Sequence, residues 1–322
     1  MGTEAKDNRD IAAAAGTRRW SDGEHPGVIL ADIASRPSLA GHVITFANEK
    51  GGVGKSTLAF HCAIALAHAG HRVVALDLDW RQSTLDRGLS FREGTVRILG
   101  TGLPMPAHAV LTRPCTAQLY QELARLDARA DYIVLDAPGA DCPIFRRAVA
   151  MADTLVTPVN ASFIDLQALG QVDPVSGRAQ GPSCFADTVA GLRRERERRG
   201  RGPIDWVVAK NRVRNTERRH IGRIDAALAT LSQHHDFRVG EGLAERVAFR
   251  ELFQFGLTHL DLELLPEIAR AHPGTLAELE KLLGSLALDP PRPARRIAPA
   301  APRARSSPRT RAAYREALVA VL

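Results

Sequence analysis

The sequence predicts an α/β fold, a doubly wound and mainly parallel sheet flanked by helices, and three observations carry that prediction. Apolar runs suited to strands buried on both faces recur along the chain, segments with helical spacing separate them, and a glycine-rich stretch joins the first run to the helix after it. With 322 residues, 45% of them hydrophobic, the chain can bury one large core. Three parts are expected: a flexible N-terminal extension over residues 1–40, a folded domain over 41–288, and a Pro/Arg-rich tail over 289–322 with a short C-terminal helix.

In chain order, Val43-Ile-Thr-Phe46 reads as a buried strand, and residues 58–69 as a helix closed by Gly70. Arg72-Val-Val-Ala-Leu-Asp-Leu-Asp79 reads as a second strand ending in two carboxylates. Residues 91–114 carry several Gly and Pro and are expected to form an irregular surface excursion. Tyr132-Ile-Val-Leu-Asp136, Thr154-Leu-Val-Thr-Pro-Val159 and Trp206-Val-Val-Ala209 continue the strands. Residues 216–231 read as a helix with Ile221, Ile224, Leu228 and Leu231 as its buried stripe, and residues 275–286 as the last helix of the domain.

The stretch Asn48-Glu-Lys-Gly-Gly-Val-Gly-Lys-Ser-Thr57 falls between a strand and a helix, the context that a phosphate-binding P-loop requires. Lys50, Gly51, Gly52, Val53, Gly54, Lys55, Ser56 and Thr57 would surround the phosphates of ATP, with the helix N-terminus adding a favourable partial charge. Lys55 would reach the terminal phosphates and Ser56 would hold Mg²⁺. Ligands of such sheets gather at the carboxyl ends of the strands, where Asp77, Asp79 and Asp136 fall. Asp136 reads as a Walker B carboxylate holding Mg²⁺ through water. Asp77 and Asp79, two residues apart and expected on one face of a strand, would divide the remaining work, one assisting the metal and the other orienting the attacking water. Lys50 needs a different account. A second cation beside Lys55 is unfavourable without an anion between them, and ATP shared across a dimer interface supplies that anion.

The net charge of +7 is unevenly spread. Residues 189–223 hold twelve Lys/Arg against four Asp/Glu, and residues 290–315 hold eight Arg and no acid, so the remainder is net acidic. Concentrated positive charge on an acidic protein points to a polyanion partner. Arg212, Arg214, Arg218, Arg219 and Arg223 offer charge without a reading head, as non-specific DNA binding needs, whereas Glu195 and Glu197 interrupt the 193–201 run and make a salt-bridged helix face equally plausible. Cys62, Cys115, Cys142 and Cys184 form no close pair and are expected as buried reduced thiols. No apolar run approaches a bilayer span and the N-terminus lacks a signal-peptide layout, so a cytoplasmic protein is expected, and DNA binding by its basic segments would make it nucleoid-associated. Tyr314, Ala317, Leu318, Val321 and Leu322 can share a helical face; docking on the protein or disorder is expected ahead of membrane contact.

Lys50-Gly-Gly-Val-Gly-Lys-Ser-Thr57 resembles the deviant Walker A motif of the ParA/MinD ATPases. Asn48-Glu-Lys-Gly-Gly, Asp77-Leu-Asp-Trp-Arg-Gln82, Thr157-Pro-Val-Asn-Ala-Ser-Phe-Ile-Asp165, Val172-Asp-Pro174, Asp205-Trp-Val-Val208 with Asn211-Arg212, and Arg250-Glu-Leu-Phe-Gln-Phe-Gly-Leu257 narrow the resemblance to the MipZ family. It implies an ATP-dependent sandwich homodimer in which Lys50 contacts the partner's nucleotide beside Gly51, Asp79 serves hydrolysis and Asn211 contacts adenine. It also implies slow hydrolysis, non-specific DNA binding and inhibition of FtsZ polymerisation at the division site. A ParA-like partition ATPase, stimulated by a ParB-type protein, shares the same nucleotide residues and stays open as the alternative. Trp80 departs from the smaller apolar residue expected there, which leaves packing beside Asp79 undefined.

Overall fold

In the computed structural model the described residues are 24–126, 130–173, 179–213, 218–244, 247–268, 273–288 and 306–321. Helix α1 (Pro26–Ala34) precedes strand β1 (His42–Phe46), α2 (Lys55–His68), β2 (Val73–Asp77), α3 (Thr84–Leu99), β3 (Ala107–Val110), α4 (Thr116–Leu126) and β4 (Tyr132–Asp136). The chain continues through α5 (Pro143–Met151), β5 (Thr154–Asn160), α6 (Phe163–Leu166), a small hairpin of β6 (Gly170–Val172) and β7 (Ala179–Pro182), α7 (Cys184–Arg198), β8 (Asp205–Asn211), α8 (Arg218–His235) and β9 (Arg238–Glu241). It closes with α9 (Val247–Phe253), a 3₁₀ turn (Asp261–Glu263), α10 (Pro273–Ser285) and α11 (Pro308–Val321).

Seven strands form one sheet in the order β3-β2-β4-β1-β5-β8-β9, and every neighbouring pair in it is parallel. Parallel strands need crossovers, and the helices that make them cover both faces. One apolar layer joins the sheet to α1, α4, α5, α7 and α8 through residues such as Leu30, Phe145, Phe185 and Leu228. The other joins it to α2, α9 and α10 through Leu58, Phe249 and Leu279. The five central strands therefore have no solvated face, which is why they read as continuous apolar runs, whereas of the edge strands β3 is half-buried and β9 largely exposed.

Three expectations are corrected. Residues 26–34 are not a structureless extension: Ile29 and Leu30 are fully buried in the first layer, and Arg147 of α5 binds Asp32 at 2.8 Å and Glu24 at 2.6 Å. Residues 91–114 are not irregular throughout, since α3 runs to Leu99 and β3 pairs with β2. Gly88 of α3 is a packing residue, because a Cβ there would meet Phe253 at 2.7 Å. Of the four cysteines only Cys62 is buried; Cys115 and Cys142 are half-buried and Cys184 is exposed.

The basic helix α7 resolves toward structure. Arg193 donates to the carbonyls of Ile204, His235 and Asp236, buried Arg196 donates to those of Ala150, Ala152 and Gly202, and Arg199 pairs with Glu195 at 2.8 Å. The C-terminal helix docks on the protein: Leu318 is fully buried in a third apolar cluster and Tyr314 shares a 2.6 Å hydrogen bond with Thr95. Leu322 lies outside the described residues. No helix among the described residues is long and apolar enough to cross a membrane.

Candidate functional site

The end of β1 turns through residues 47–54 into α2, and two glycines set that turn. Gly52 (φ +77°) and Gly54 (φ +94°) occupy the left-handed region. At Gly54 a Cβ would also lie 2.2 Å from Asn211 Nδ2, so the position excludes any side chain. Asn211, at the end of β8, donates to the Val53 carbonyl at 2.8 Å and accepts from the Leu243 N–H at 3.1 Å. The residue expected beside adenine thus clamps the back of the loop. Asn48 fastens the loop's start, donating to the Pro158 carbonyl at 2.8 Å and accepting the Lys50 N–H at 2.9 Å.

The two lysines diverge. Lys55 is 8% exposed and donates inward to the Lys50 carbonyl at 3.0 Å. Burial lowers the pKa of its ammonium, and the carboxylates of Asp136 and Asp79 oppose that shift. Lys50 turns outward, its side chain 38% exposed, and pairs with Asp165 of α6, whose side chain is 5% exposed. Gly51 and Gly52 between the lysines are exposed. Gly139 closes the other side of the loop, where a Cβ would sit 3.5 Å from Lys55 Nζ.

Asp77 and Asp136 end adjacent strands in register. Both are buried, yet their surroundings differ. Asp77 accepts the N–H of Asp79 at 3.0 Å and of Asp86 at 3.1 Å, so it organises the entry to α3, and burial raises its pKa to about 6. Neither oxygen of Asp136 has a hydrogen-bond partner at normal geometry among the described residues. Burial first, and then the charge of Asp77, pushes the Asp136 carboxyl well above the ordinary range, while Ser56 and Lys55 favour its ionised form. A buried carboxylate left unpaired beside a hydroxyl and an ammonium is the arrangement a cation would complete, so Ser56 and Asp136 fit a Mg²⁺ site that takes few protein ligands. No cluster of three or more His, Cys, Asp or Glu suited to a metal occurs among the described residues, so water and phosphate oxygens would supply the remaining ligands.

Asp79 lies beyond the end of β2, so the pair 77/79 does not share a strand face as expected. It sits in the turn instead. Its Oδ1 accepts the N–H groups of Arg81 and Gln82 at 3.1 and 3.2 Å, and Oδ2 has no partner among the described residues. Trp80 is half-buried with Arg81 over its ring at 5.4 Å.

The expected DNA-facing arginines are only partly described. Arg212 is exposed in a left-handed conformation, Arg218 and Arg219 begin α8, and Arg223 lies 5.2 Å over the Phe163 ring. Arg214 lies outside the described residues. Sequence reasoning assigned no role to Asp165 or Gly139. Asp165 has no partner nearby in the sequence, and only the fold brings it to Lys50.

A family model described as ATPase MipZ matches residues 42–290. The chromosome-partitioning ATPase Soj of Thermus thermophilus is 33% identical over 141 residues, covering 38% of this chain and 57% of Soj. The septum site-determining protein MinD of Helicobacter pylori is 30% identical over 165 residues, covering 43% of this chain and 61% of MinD. The chain thus spans about three fifths of the length of these relatives. The ATP complex of Cyanothece McdA matches with a TM-score of 0.52 at 16% identity, covering 79% of this chain and 99% of that one, a likeness of fold.

Proposed function

Because this chain belongs to the MipZ family of ATPases, we propose that it is an ATP-dependent homodimeric switch which hydrolyses ATP slowly, rests on DNA without sequence preference and inhibits FtsZ polymerisation. The observation that carries the reading is the divergence of the two lysines: one ammonium is buried against its own loop and the other stands at the surface beside exposed glycines. A loop built only to bind its own nucleotide has no use for the second.

Lys55 neutralises the terminal phosphates of the nucleotide bound in its own loop, and Gly54 lets the backbone approach them. Ser56 and Asp136 would hold Mg²⁺, with Asp77 behind them, and the ion supplies charge neutralisation on the phosphates when bound. Asp79 offers Oδ2 to orient the attacking water while its other oxygen fixes the turn. Lys50 reaches the nucleotide of a second copy, so dimerisation completes the charge balance and hydrolysis undoes it. Arg212 and Arg223, doubled in the dimer, track DNA phosphates.

Sedimentation of polymerised FtsZ with this protein and ATP is the test. Loss of pelleted polymer with ATP but not ADP is expected, and unchanged polymer would remove the division role. The partition reading is favoured by the similarity to Soj, a chromosome-partitioning ATPase. Stimulation of ATP hydrolysis by a ParB-type protein, with no effect on FtsZ, would select it.

A further inference from the structure

At the opposite end of β1 from the nucleotide loop, about 16 Å away along the strand, the structure has a cavity of about 240 Å³. Its walls come from the end of α1 and the segment after it, the start of β1, α4, the turn between α5 and β5, and the end of α7. Ile33, Leu39, Val43, Leu123 and Met151 give it an apolar floor. Residues 33–41 precede the family-matched segment 42–290, so this chain's own N-terminal part forms one wall. That wall is fastened: Asp32 accepts from Arg147 at 2.8 Å and from the Tyr120 hydroxyl at 3.0 Å.

The charged groups at the cavity are Arg36, Arg196, Arg201 and Asp153. Arg36 already pairs with Asp32 at 3.3 Å and lies 4.7 Å over the Tyr120 ring. Arg196, with a side chain 6% exposed, commits Nε and Nη1 to backbone carbonyls, and its Nη2 has only the 3.6 Å approach to Asp153. The Arg201 guanidinium makes no hydrogen bond or ion pair among the described residues. Asp153 is half exposed and also accepts the Val43 N–H at 2.9 Å, so the cluster of Arg196 and Arg201 has this one carboxylate at the cavity, and it approaches Arg196 alone. Burial works against the charge on Arg196, Asp153 supports it, and the neighbouring Arg201 again opposes it, with a net downward shift. One further negative charge would balance the cluster, and two would exceed it.

We propose that this cavity binds a small amphipathic monocarboxylate, its acid group on Arg196 and Arg201 and its apolar body on the floor formed by Leu39, Val43 and Met151. A cavity of about 150 Å³ accepts benzene, so this one has room for roughly ten non-hydrogen atoms. An uncharged molecule of that size would leave the guanidiniums unbalanced in a partly desolvated site. An acid without the apolar body would leave the floor unfilled. The site is independent of the nucleotide reading, since none of its residues belongs to the loop or to the strand ends that carry Asp77, Asp79 and Asp136.

Calorimetric titration of the full chain with octanoate, octanol and acetate tests the proposal. One saturable octanoate site is expected, with octanol and acetate at least roughly tenfold weaker, as loss of a charge-assisted hydrogen bond or of the buried body requires. Arg201→Gln, at a half-exposed position, should weaken octanoate by roughly tenfold, and Leu39→Trp should fill the cavity and abolish binding. Nucleotide binding should be unchanged in both variants, which establishes that they fold. Absence of saturable octanoate binding, equal binding of octanol, or octanoate affinity unaffected by Arg201→Gln would each overturn it.

Discussion

The carboxylate of Asp165 holds the ammonium of Lys50 and is itself fixed by the Asn160 N–H at 3.2 Å. If Lys50 serves a partner's nucleotide, this pair must open first, and the two contacts compete. Asp165→Asn keeps the acceptor for Asn160 but weakens the hold on Lys50. A part-exposed pair contributes roughly 0.2–1 kcal/mol and a dimer opens two, so the ATP-bound dimer should tighten by about twofold to thirtyfold. Mass photometry across protein concentration reads this directly. A weaker dimer would assign Asp165 to the interface itself.

Asp136 should be costly to the nucleotide-free protein. Its carboxyl is raised in the folded state, so the stability it contributes is present below the ordinary value of 3.8 and is lost as pH rises toward the folded value. Asp136→Asn should therefore raise the melting temperature at pH 7 by a few degrees, on the order of 1 kcal/mol, and change it little at pH 4. The same variant should lose Mg²⁺-dependent ATP binding. A lower melting temperature at pH 7 would show that the carboxylate is satisfied in the folded protein after all.

Asp77 behaves with the same sign. Its pKa rises from 3.8 to about 6, so stability of the nucleotide-free protein should fall across that pH interval. Saturating Mg²⁺ and ATP should flatten the fall. Thermal melts between pH 4 and 7, with and without the nucleotide, measure both slopes, and parallel slopes would disconnect these carboxylates from the nucleotide.

A second ionic centre is purely structural. Fully buried Arg92 of α3 pairs with Asp261 at 2.6 and 2.8 Å, and Asp261 also accepts from Thr258 and meets His68 at 2.7 Å. Burial alone would raise its carboxyl, but Arg92 and His68 outweigh burial and hold it well below the ordinary range, so its contribution is present above pH 3.8 and is lost on acidification toward the folded value. Asp261→Ala leaves a buried guanidinium without its counter-charge and should cost about 3–5 kcal/mol, while Mg²⁺-dependent nucleotide affinity of the surviving folded fraction is unchanged. Urea unfolding at pH 7 gives the number; a loss under about 1 kcal/mol would mean that Arg92 finds another partner.

DNA binding, if it follows the basic surface, should be a counting problem. Contact with about six phosphates per dimer gives a log–log salt slope near −5, and Arg212→Ala or Arg223→Ala should each lower its magnitude by about 2, one contact per subunit. Fluorescence anisotropy with DNA of random sequence across salt concentrations measures it. Arg223 also stacks on Phe163, so an effect confined to Arg212→Ala would leave Arg223 as a packing residue.

The sequence revealed those elements whose local pattern and tertiary environment agree. Strands buried on both faces announced themselves, and the loop between β1 and α2 was legible because glycine, lysine and serine have few other reasons to fall in that order. The second half of helix α3 was hidden by Gly94 inside it and by the Gly and Pro residues that follow Leu99. Helix α1 was hidden because its partners, Arg147 and Tyr120, stand more than 80 residues away. The same distance in sequence concealed Asp165, which only the neighbouring ends of β1 and β5 bring to Lys50. The unequal surroundings of Asp77 and Asp136 were equally invisible, because they depend on which backbone N–H groups each carboxylate meets.

The central claim is that Lys50 makes bound ATP part of a dimer interface. Sedimentation velocity of the parent and Lys50→Ala, each with saturating ATP and Mg²⁺, tests it most directly. The parent should sediment as a dimer with ATP and as a monomer with ADP, and Lys50→Ala should bind ATP yet remain a monomer. A Lys50→Ala dimer as stable as the parent's would contradict the claim.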